Sequence, residues 1–383
     1  MNTAFLQKDL EDRTSLGIYR TLKTLDSPQG REIIIDGRRV LNFCSNDYLG
    51  LANDERIKRA ALEAITEYGL GSGASRLVCG NMGPHEKLEA DLAHFKNTQS
   101  ALVFSSGYMA NTGIIPALMD RHGVVLSDKL NHASIIDGII LSRAKLVRYP
   151  HADMQALQEI LKNLPAGQRR LIVTDTVFSM DGDKAPLRGI VDLARRYEAM
   201  VMVDEAHALG VLGRRGSGLV EELGLEAQVD IQMGTLSKAA GSFGAYACGT
   251  RILRDYLINK SRSFIYTTAM PPALAQASRT ALQIILEGSQ MRRELEEKSD
   301  YLRVELKGMG FDTMNSSTPI IPILVKNSAQ AKAMSQRLLE QGIFVQAIRP
   351  PTVPVGTARL RLTVTATHTQ DDLGLLLKAV RTL

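Results

Sequence analysis

Lys238 sits in the run Thr235-Leu236-Ser237-Lys238-Ala239-Ala240-Gly241, where small and hydroxylic residues surround one amine directly after the strand-like Asp230-Ile231-Gln232-Met233. Upstream, Asp204-Glu205-Ala206-His207 closes an apolar run, and Thr267-Thr268 follows downstream. An amine that forms a Schiff base with an aldehyde cofactor needs two further things: a cradle for the cofactor phosphate and an anion that keeps the pyridine nitrogen protonated. Thr235, Ser237, Lys238 and Asp204 supply that set, and the pattern predicts a pyridoxal 5'-phosphate site. A solvated lysine in a Ser/Gly loop has the same local composition, but the preceding strand and the upstream Asp204 argue against it.

Asp204 follows Met200-Val201-Met202-Val203, the most hydrophobic of the strand-like runs, so its carboxylate is poorly solvated and requires a cationic partner. A pyridinium at ~4 Å in an effective dielectric of about 20 contributes roughly 4 kcal/mol before desolvation, against roughly 0.5–1.5 kcal/mol for ring stacking. Asp204 is therefore expected to matter more than any stacking residue. His132, in Lys129-Leu130-Asn131-His132-Ala133-Ser134, lies beyond the run Val124 to Leu126 and is a candidate to stack on the ring. His207 is a candidate to hydrogen-bond the phenolic oxygen. Taken singly, each histidine has the bland reading of a packed or solvated residue.

In Ser105-Ser106-Gly107-Tyr108-Met109-Ala110-Asn111 a strand pattern gives way to a helix pattern, so backbone amides at that helix start are placed to hold a phosphate dianion, with Gly107 permitting close approach. The glycines of Gly69-Leu70-Gly71-Ser72-Gly73-Ala74-Ser75-Arg76 lack a preceding strand and do not form a dinucleotide fingerprint.

The elements that must position these groups are short apolar runs alternating with helix-period stretches: Ala101–Phe104, Val124–Leu126, Leu171–Val173, Met200–Val203 and Ala245–Cys248. Without polar alternation they read as strands covered on both faces, an α/β class with a mostly parallel sheet. Asp128, Asp175, Asp204 and Thr235 each follow such a run, where open α/β sheets bind ligands. From about Leu282 to Arg303 the pattern predicts one long charged helix. Beyond it, strands are expected at Ile320–Val325, Phe344–Ile348 and Arg359–Val364, the last alternating so that Arg359, Arg361 and Thr363 share a face. The expected division is an N-terminal segment over 1–45, a large cofactor-binding domain over 46–285 and a small C-terminal domain over 286–383.

With 383 residues and 44% apolar composition, the chain can bury a large core. Cys44, Cys79 and Cys248 have no metal-ligand spacing, no basic-then-apolar leader precedes Asp9 and Glu11, and no apolar run approaches the ~20 residues of a membrane helix. A cytoplasmic protein with no bound metal and no membrane segment is expected. The net charge of +5 is dispersed, so nucleic acid is not implied, although a modest positive balance suits an acidic partner such as coenzyme A or an acyl carrier protein.

Asn46-Asp47-Tyr48-Leu49-Gly50, Gly71-Ser72-Gly73, Asp204-Glu205-Ala206-His207 and Thr235-Leu236-Ser237-Lys238 resemble the α-oxoamine synthases, from about Arg20 to Thr369. The resemblance implies the fold type I of pyridoxal-phosphate transferases, with a large, mostly parallel seven-stranded sheet domain and a smaller α+β C-terminal domain. It implies that Lys238 is the Schiff-base lysine and Asp204 the pyridinium partner, with His132 stacked on the ring and Ser179 and His207 on its oxygen side. Gly107, Tyr108 and Thr235 would contact the phosphate, and Arg20, Asn46, His132 and Thr352 the substrate. Arg361 would anchor the amino-acid carboxylate. Family members are homodimers, so Thr267 and Thr268 are expected to reach the neighbouring subunit's phosphate. Ala240 departs from the family pattern, which has a bulkier apolar residue there. The segments Ala347–Pro354 and Gly356–Arg361 look most like the biotin-pathway member. That implies decarboxylative condensation of a pimeloyl thioester, on coenzyme A or an acyl carrier protein, with L-alanine. The sister reaction, glycine with acetyl-CoA as in glycine C-acetyltransferase, and a transamination on the same fold are the rivals.

Overall fold

A computed structural model describes residues 3–383, so the first two residues of the expected N-terminal segment lie outside it. Seven strands form one sheet in the spatial order Ser100–Phe104, Ala245–Gly249, Ile231–Thr235, Met200–Asp204, Arg170–Asp175, Val124–Asp128 and Lys145–Tyr149. Every neighbouring pair is parallel except the two made by Ala245–Gly249. This is the mostly parallel sheet that the apolar runs predict. Lys145–Tyr149 escapes the sequence reading because it is an edge strand with Lys145 and Arg148 exposed, and so lacks the apolar signature of a strand covered on both faces.

Helices Gly107–Leu118, Ala133–Ser142 and Arg251–Lys260 supply Ile114, Ile115, Ile135, Ile139 and Leu257 to a core shared with Leu102, Val125, Val173, Met202 and Met233. The parallel register sets Asp175 beside Asp204, and Thr235 and Asp128 end the strands on either side. Thr235, Asp204, Asp175 and Asp128 therefore form a row along the carboxyl edge of the sheet.

These elements belong to a compact unit of residues Asp47–Ser179 and Asp183–Arg293. A second unit comprises the residues up to Asn46, Met180–Gly182 and Glu294–Leu383, so the N-terminal and C-terminal parts of the chain fold together. It holds two three-stranded sheets. Ile320–Lys326 and Gln346–Ile348 flank Ala358–Thr363, and Arg38–Asn42 lies between Glu32–Ile35 and Ile343–Phe344. The single strand expected at Phe344–Ile348 is two, because the chain passes from one sheet to the other at the buried Val345. The long helix expected from Leu282 to Arg303 is likewise two, Pro272–Glu287 and Ser289–Gly308, interrupted at Gly288, whose backbone freedom disfavours a helix interior. The Arg359 strand is buried along its whole length rather than on one face. Arg359 accordingly pairs with Asp181 and donates to the Thr357 carbonyl at 2.9 Å.

Behind the strand edge, the first unit contains a fully buried ion pair between Lys96 and Glu205. Lys96 Nζ also donates to the Ser217 carbonyl at 2.6 Å, and Glu205 accepts the Val220 N–H at 3.0 Å. Gly218, at φ +131°, leaves room for the carboxylate: a Cβ there would lie 2.4 Å from Glu205 Oε1. Removing one partner strands the other as an uncompensated charge. Lys96→Met is expected to lower unfolding free energy by about 3–5 kcal/mol in urea titrations, while Lys96→Met combined with Glu205→Leu restores most of it.

At the far end of the row, His151 lies between Asp128 (Nδ1 to Oδ1, 3.0 Å) and Asp183 (Nε2 to Oδ2, 2.7 Å), edge-on to Phe178. Burial disfavours the imidazolium, but the two carboxylates outweigh it and lift the pKa to about 9. Because this exceeds the unfolded value of roughly 6.5, the stabilisation is complete below that value and is lost as pH rises through about 9. Denaturation midpoints measured from pH 6 to 10 should fall over this window, and His151→Gln should flatten the decline.

Candidate active site

The lysine loop is set by its own backbone. Leu236 N–H donates to the Gly244 carbonyl at 2.9 Å, Ser242 N–H to Leu236 at 2.9 Å, and Gly241 N–H to Lys238 at 2.8 Å. Gly241, at φ +60°, packs against the backbone of Leu51 and Ala52, where a Cβ would come within 2.3 Å. That backbone is itself pinned: the Asp47 carboxylate accepts Leu51 N–H at 2.8 Å and Ala52 N–H at 3.1 Å. Ala240 is fully buried in this turn.

Lys238 Nζ lies 3.1 Å from His207 Nε2, and His207 Nδ1 lies 2.6 Å from the hydroxyl of the fully buried Tyr48. When Nζ is an ammonium it donates to Nε2, and Nδ1–H then points to Tyr48. When the amine is neutral it can also accept from Nε2–H, with the Tyr48 hydroxyl then donating to Nδ1. His207 is thus a two-sided connection between the amine and a phenol.

Asp204 is 5% exposed and accepts the Ala206 N–H on Oδ1 and Asn111 Nδ2 on Oδ2, both at 2.9 Å. Asp175 accepts the His132 backbone N–H at 2.8 Å. Burial, reinforced by the neighbouring Asp204, raises the Asp175 pKa well above the usual carboxylate range. His132 starts the helix Ala133–Ser142, with Nδ1 2.8 Å from Ser134 Oγ. Although the residue is exposed overall, its protein surroundings lower the imidazole pKa by desolvation, opposed by the charge of Asp204.

Gly107 begins the helix Gly107–Leu118. Its amide and that of Tyr108 precede the first intrahelical bond, from Ala110 N–H to Ser106 O at 2.9 Å, while the Ser106 side chain satisfies Met109 N–H. A Cβ on Gly107 would meet Thr235 Cγ2 at 2.6 Å, so helix start and strand end converge. Thr235 Oγ1 is buried and makes no hydrogen bond among the described residues. These features fit pyridoxal phosphate: an anion for the ring nitrogen, an amine whose charge reaches the same His132 and Asp175 as that anion, and a buried hydroxyl against the amides of a helix start for the phosphate.

Ser179 is half-buried and Tyr108 half-exposed, with its hydroxyl donating to Asp137. Thr267 lines a small cavity with Arg76, Ser105 and Ser263, and Thr268 is exposed. The remaining sequence candidates pair within the second unit. Arg20 donates to the Thr352 hydroxyl at 3.1 Å, and Arg361 to Asn46 Oδ1 and Thr363 Oγ1, both at 3.0 Å. Tyr48 and Asn111 are contributors that residue-by-residue reading passed over. Tyr48 lay in a quoted motif without an assigned partner. Asn111 carries a usable signal, four residues after Gly107 and so on the same helix face.

A family model described as aminotransferase class I and II matches residues 38–380. The 8-amino-7-oxononanoate synthase of Geobacter sulfurreducens is 52% identical, over 97% of this chain and 95% of that protein. A solved structure of SPT with PLP as an internal aldimine superposes with a TM-score of 0.94 at 32% identity, covering 99% of this chain and 96% of that one. The 8-amino-7-oxononanoate synthase of Francisella tularensis superposes with a TM-score of 0.79 at 31% identity, covering 90% and 97%.

Thr235→Val tests the phosphate cradle. Replacing an unpaired buried hydroxyl by a methyl group is expected to leave the stability of the cofactor-free protein unchanged or raised by up to about 1 kcal/mol, while weakening pyridoxal-phosphate binding measured by absorbance titration.

Proposed function

The chain belongs to the class I and II aminotransferase family and, within it, to the 8-amino-7-oxononanoate synthases, and we propose that it joins L-alanine to a pimeloyl thioester with loss of carbon dioxide and the thiol carrier. The observation that carries the chemistry is the Lys238–His207–Tyr48 chain beside the buried Asp204. The names of the relatives support the choice of substrates.

Pyridoxal phosphate, when bound, supplies an electron sink for the carbanion left when the α-proton of the amino acid departs. Asp204, held by Ala206 N–H and Asn111, presents an anion to the ring nitrogen. Lys238 Nζ takes the α-proton, and His207 at 3.1 Å offers that amine a route for proton exchange towards Tyr48. His132 would hold the face of the ring, and its imidazole N–H would be available to the thioester carbonyl, where negative charge develops as the carbon–carbon bond forms. Gly107, Tyr108 and Thr235 would hold the phosphate, and Ser179 and His207 would face the oxygen side. In a homodimer, Thr267 and the exposed Thr268 would reach the partner's phosphate.

Arg361, held by Asn46 and Thr363, anchors the alanine carboxylate, while Arg20 and Thr352 contact substrate. No helix of the described residues is long and apolar enough to cross a membrane, and we place the enzyme in the cytoplasm.

The decisive assay is thiol release by the pyridoxal-phosphate-loaded protein. Pimeloyl-CoA or pimeloyl-acyl carrier protein with L-alanine should be turned over, and glycine with acetyl-CoA should not. The reverse preference would transfer the chain to the sister reaction. Lys238→Ala should abolish turnover while retaining the fold by circular dichroism. Arg361→Gln should raise KM for L-alanine at least tenfold, with a smaller effect on the thioester KM, since it removes a charged hydrogen-bonding partner from one substrate only.

A further inference from the structure

We propose that Asn111 is a positioning residue whose one amide group fixes both the carboxylate of Asp204 and the tautomer of His132. The inference rests on the cofactor reading above and adds to it the device that couples the two groups.

Asn111 is fully buried on the helix Gly107–Leu118. Its Nδ2 lies 2.9 Å from Asp204 Oδ2 and 2.9 Å from Ser134 Oγ. An ionised carboxylate only accepts hydrogen bonds, so the amide nitrogen, not the oxygen, must face Asp204, and its second N–H is then directed at Ser134. Among the described residues Asn111 Oδ1 makes no hydrogen bond, leaving the side chain's contribution here wholly that of a donor.

Ser134 Oγ, receiving that N–H, has its own proton to give, and His132 Nδ1 lies 2.8 Å away. The Ser134 backbone N–H points to the same nitrogen at 3.3 Å. Two donors converging on Nδ1 make it the acceptor and leave the proton of the neutral ring on Nε2. The chain thus runs from Asp204 through Asn111 and Ser134 to His132. It assigns His132 Nε2 as the donor available to a substrate oxygen.

Helix packing holds this relay in place. A Cβ on Gly138 would lie 2.6 Å from the Asn111 carbonyl oxygen and 3.1 Å from Ile115 Cδ1, so the helix Ala133–Ser142 approaches Asn111 as closely as backbone permits. Ser134, four residues before Gly138, faces the same way.

The test compares wild-type protein with Asn111→Leu, which keeps approximate volume without donors, and Asn111→Asp, which keeps shape but sets a second carboxylate against Asp204. Both variants should bind pyridoxal phosphate about ten- to a hundred-fold more weakly, the loss of one hydrogen bond to a charged group, with a shifted cofactor absorption band. In wild-type protein labelled with 15N-histidine and assigned with His132→Gln, the His132 nitrogen shifts should show protonated Nε2 and unprotonated Nδ1. In Asn111→Leu both tautomers should be populated. Unchanged cofactor affinity and spectrum in both variants, or a wild-type His132 protonated on Nδ1, would overturn the proposal while leaving the cofactor reading intact. A wild-type protein that takes up no pyridoxal phosphate would overturn both. If Asn111→Leu fails to fold, Asn111→Asp supplies the affinity and spectral comparison, and a wild-type His132 protonated on Nδ1 still overturns the proposal.

Discussion

A carboxylate at the end of the most apolar strand is the constraint from which the rest of the first unit follows. Asp204 is almost wholly withdrawn from solvent, and a bare anion there costs several kcal/mol unless donors and a cation surround it. The sheet supplies the position, because parallel strands set Asp175 in register with Asp204, and the next strand over runs on from Met233, opposite Asp204, to end at Thr235. The flanking segments supply the donors: Ala206 from the turn that follows, and Asn111 from a neighbouring helix. Asp175, beside the same anion and deprived of water, is shifted towards its neutral form, so the row does not concentrate unopposed charge.

Two neighbouring acidic residues are satisfied in different ways. Glu205 faces the buried Lys96 and the Val220 N–H, and its need for space is met by a glycine at Gly218. Its neutralisation is internal and complete, whereas the charge of Asp204 is met by neutral donors and fits a cationic ligand. The adjacent residues Asp204 and Glu205 thus separate a binding role from a structural one, a division that rests on which way successive side chains point from a strand end.

Close backbone approach is the second recurring device. Gly107 against Thr235, Gly241 against Leu51 and Ala52, and Gly138 against Asn111 each occupy a point where a Cβ would collide, and each sits next to a group assigned to the site. The lysine loop therefore needs little bulk at Ala240. Its shape is fixed by hydrogen bonds from Leu236, Gly241 and Ser242, and by the turn that Asp47 caps on the other side.

Composition and spacing alone determined the parallel α/β class and the strand ends bearing Asp128, Asp175, Asp204 and Thr235. These were legible because strands covered on both faces must be apolar, and a polar residue closing such a run stands out. Lys145–Tyr149 was not legible, since an exposed edge strand is under no such demand, and neither was the break at Gly288 inside a continuous charged pattern. What the tertiary structure decided were relations between distant segments: Tyr48 at His207, Asn111 between Asp204 and Ser134, and the N-terminal residues folded with the C-terminal ones. Such contacts depend on how helices and loops pack over the sheet, and sequence periodicity records only which face of an element is buried, never which partner it meets there.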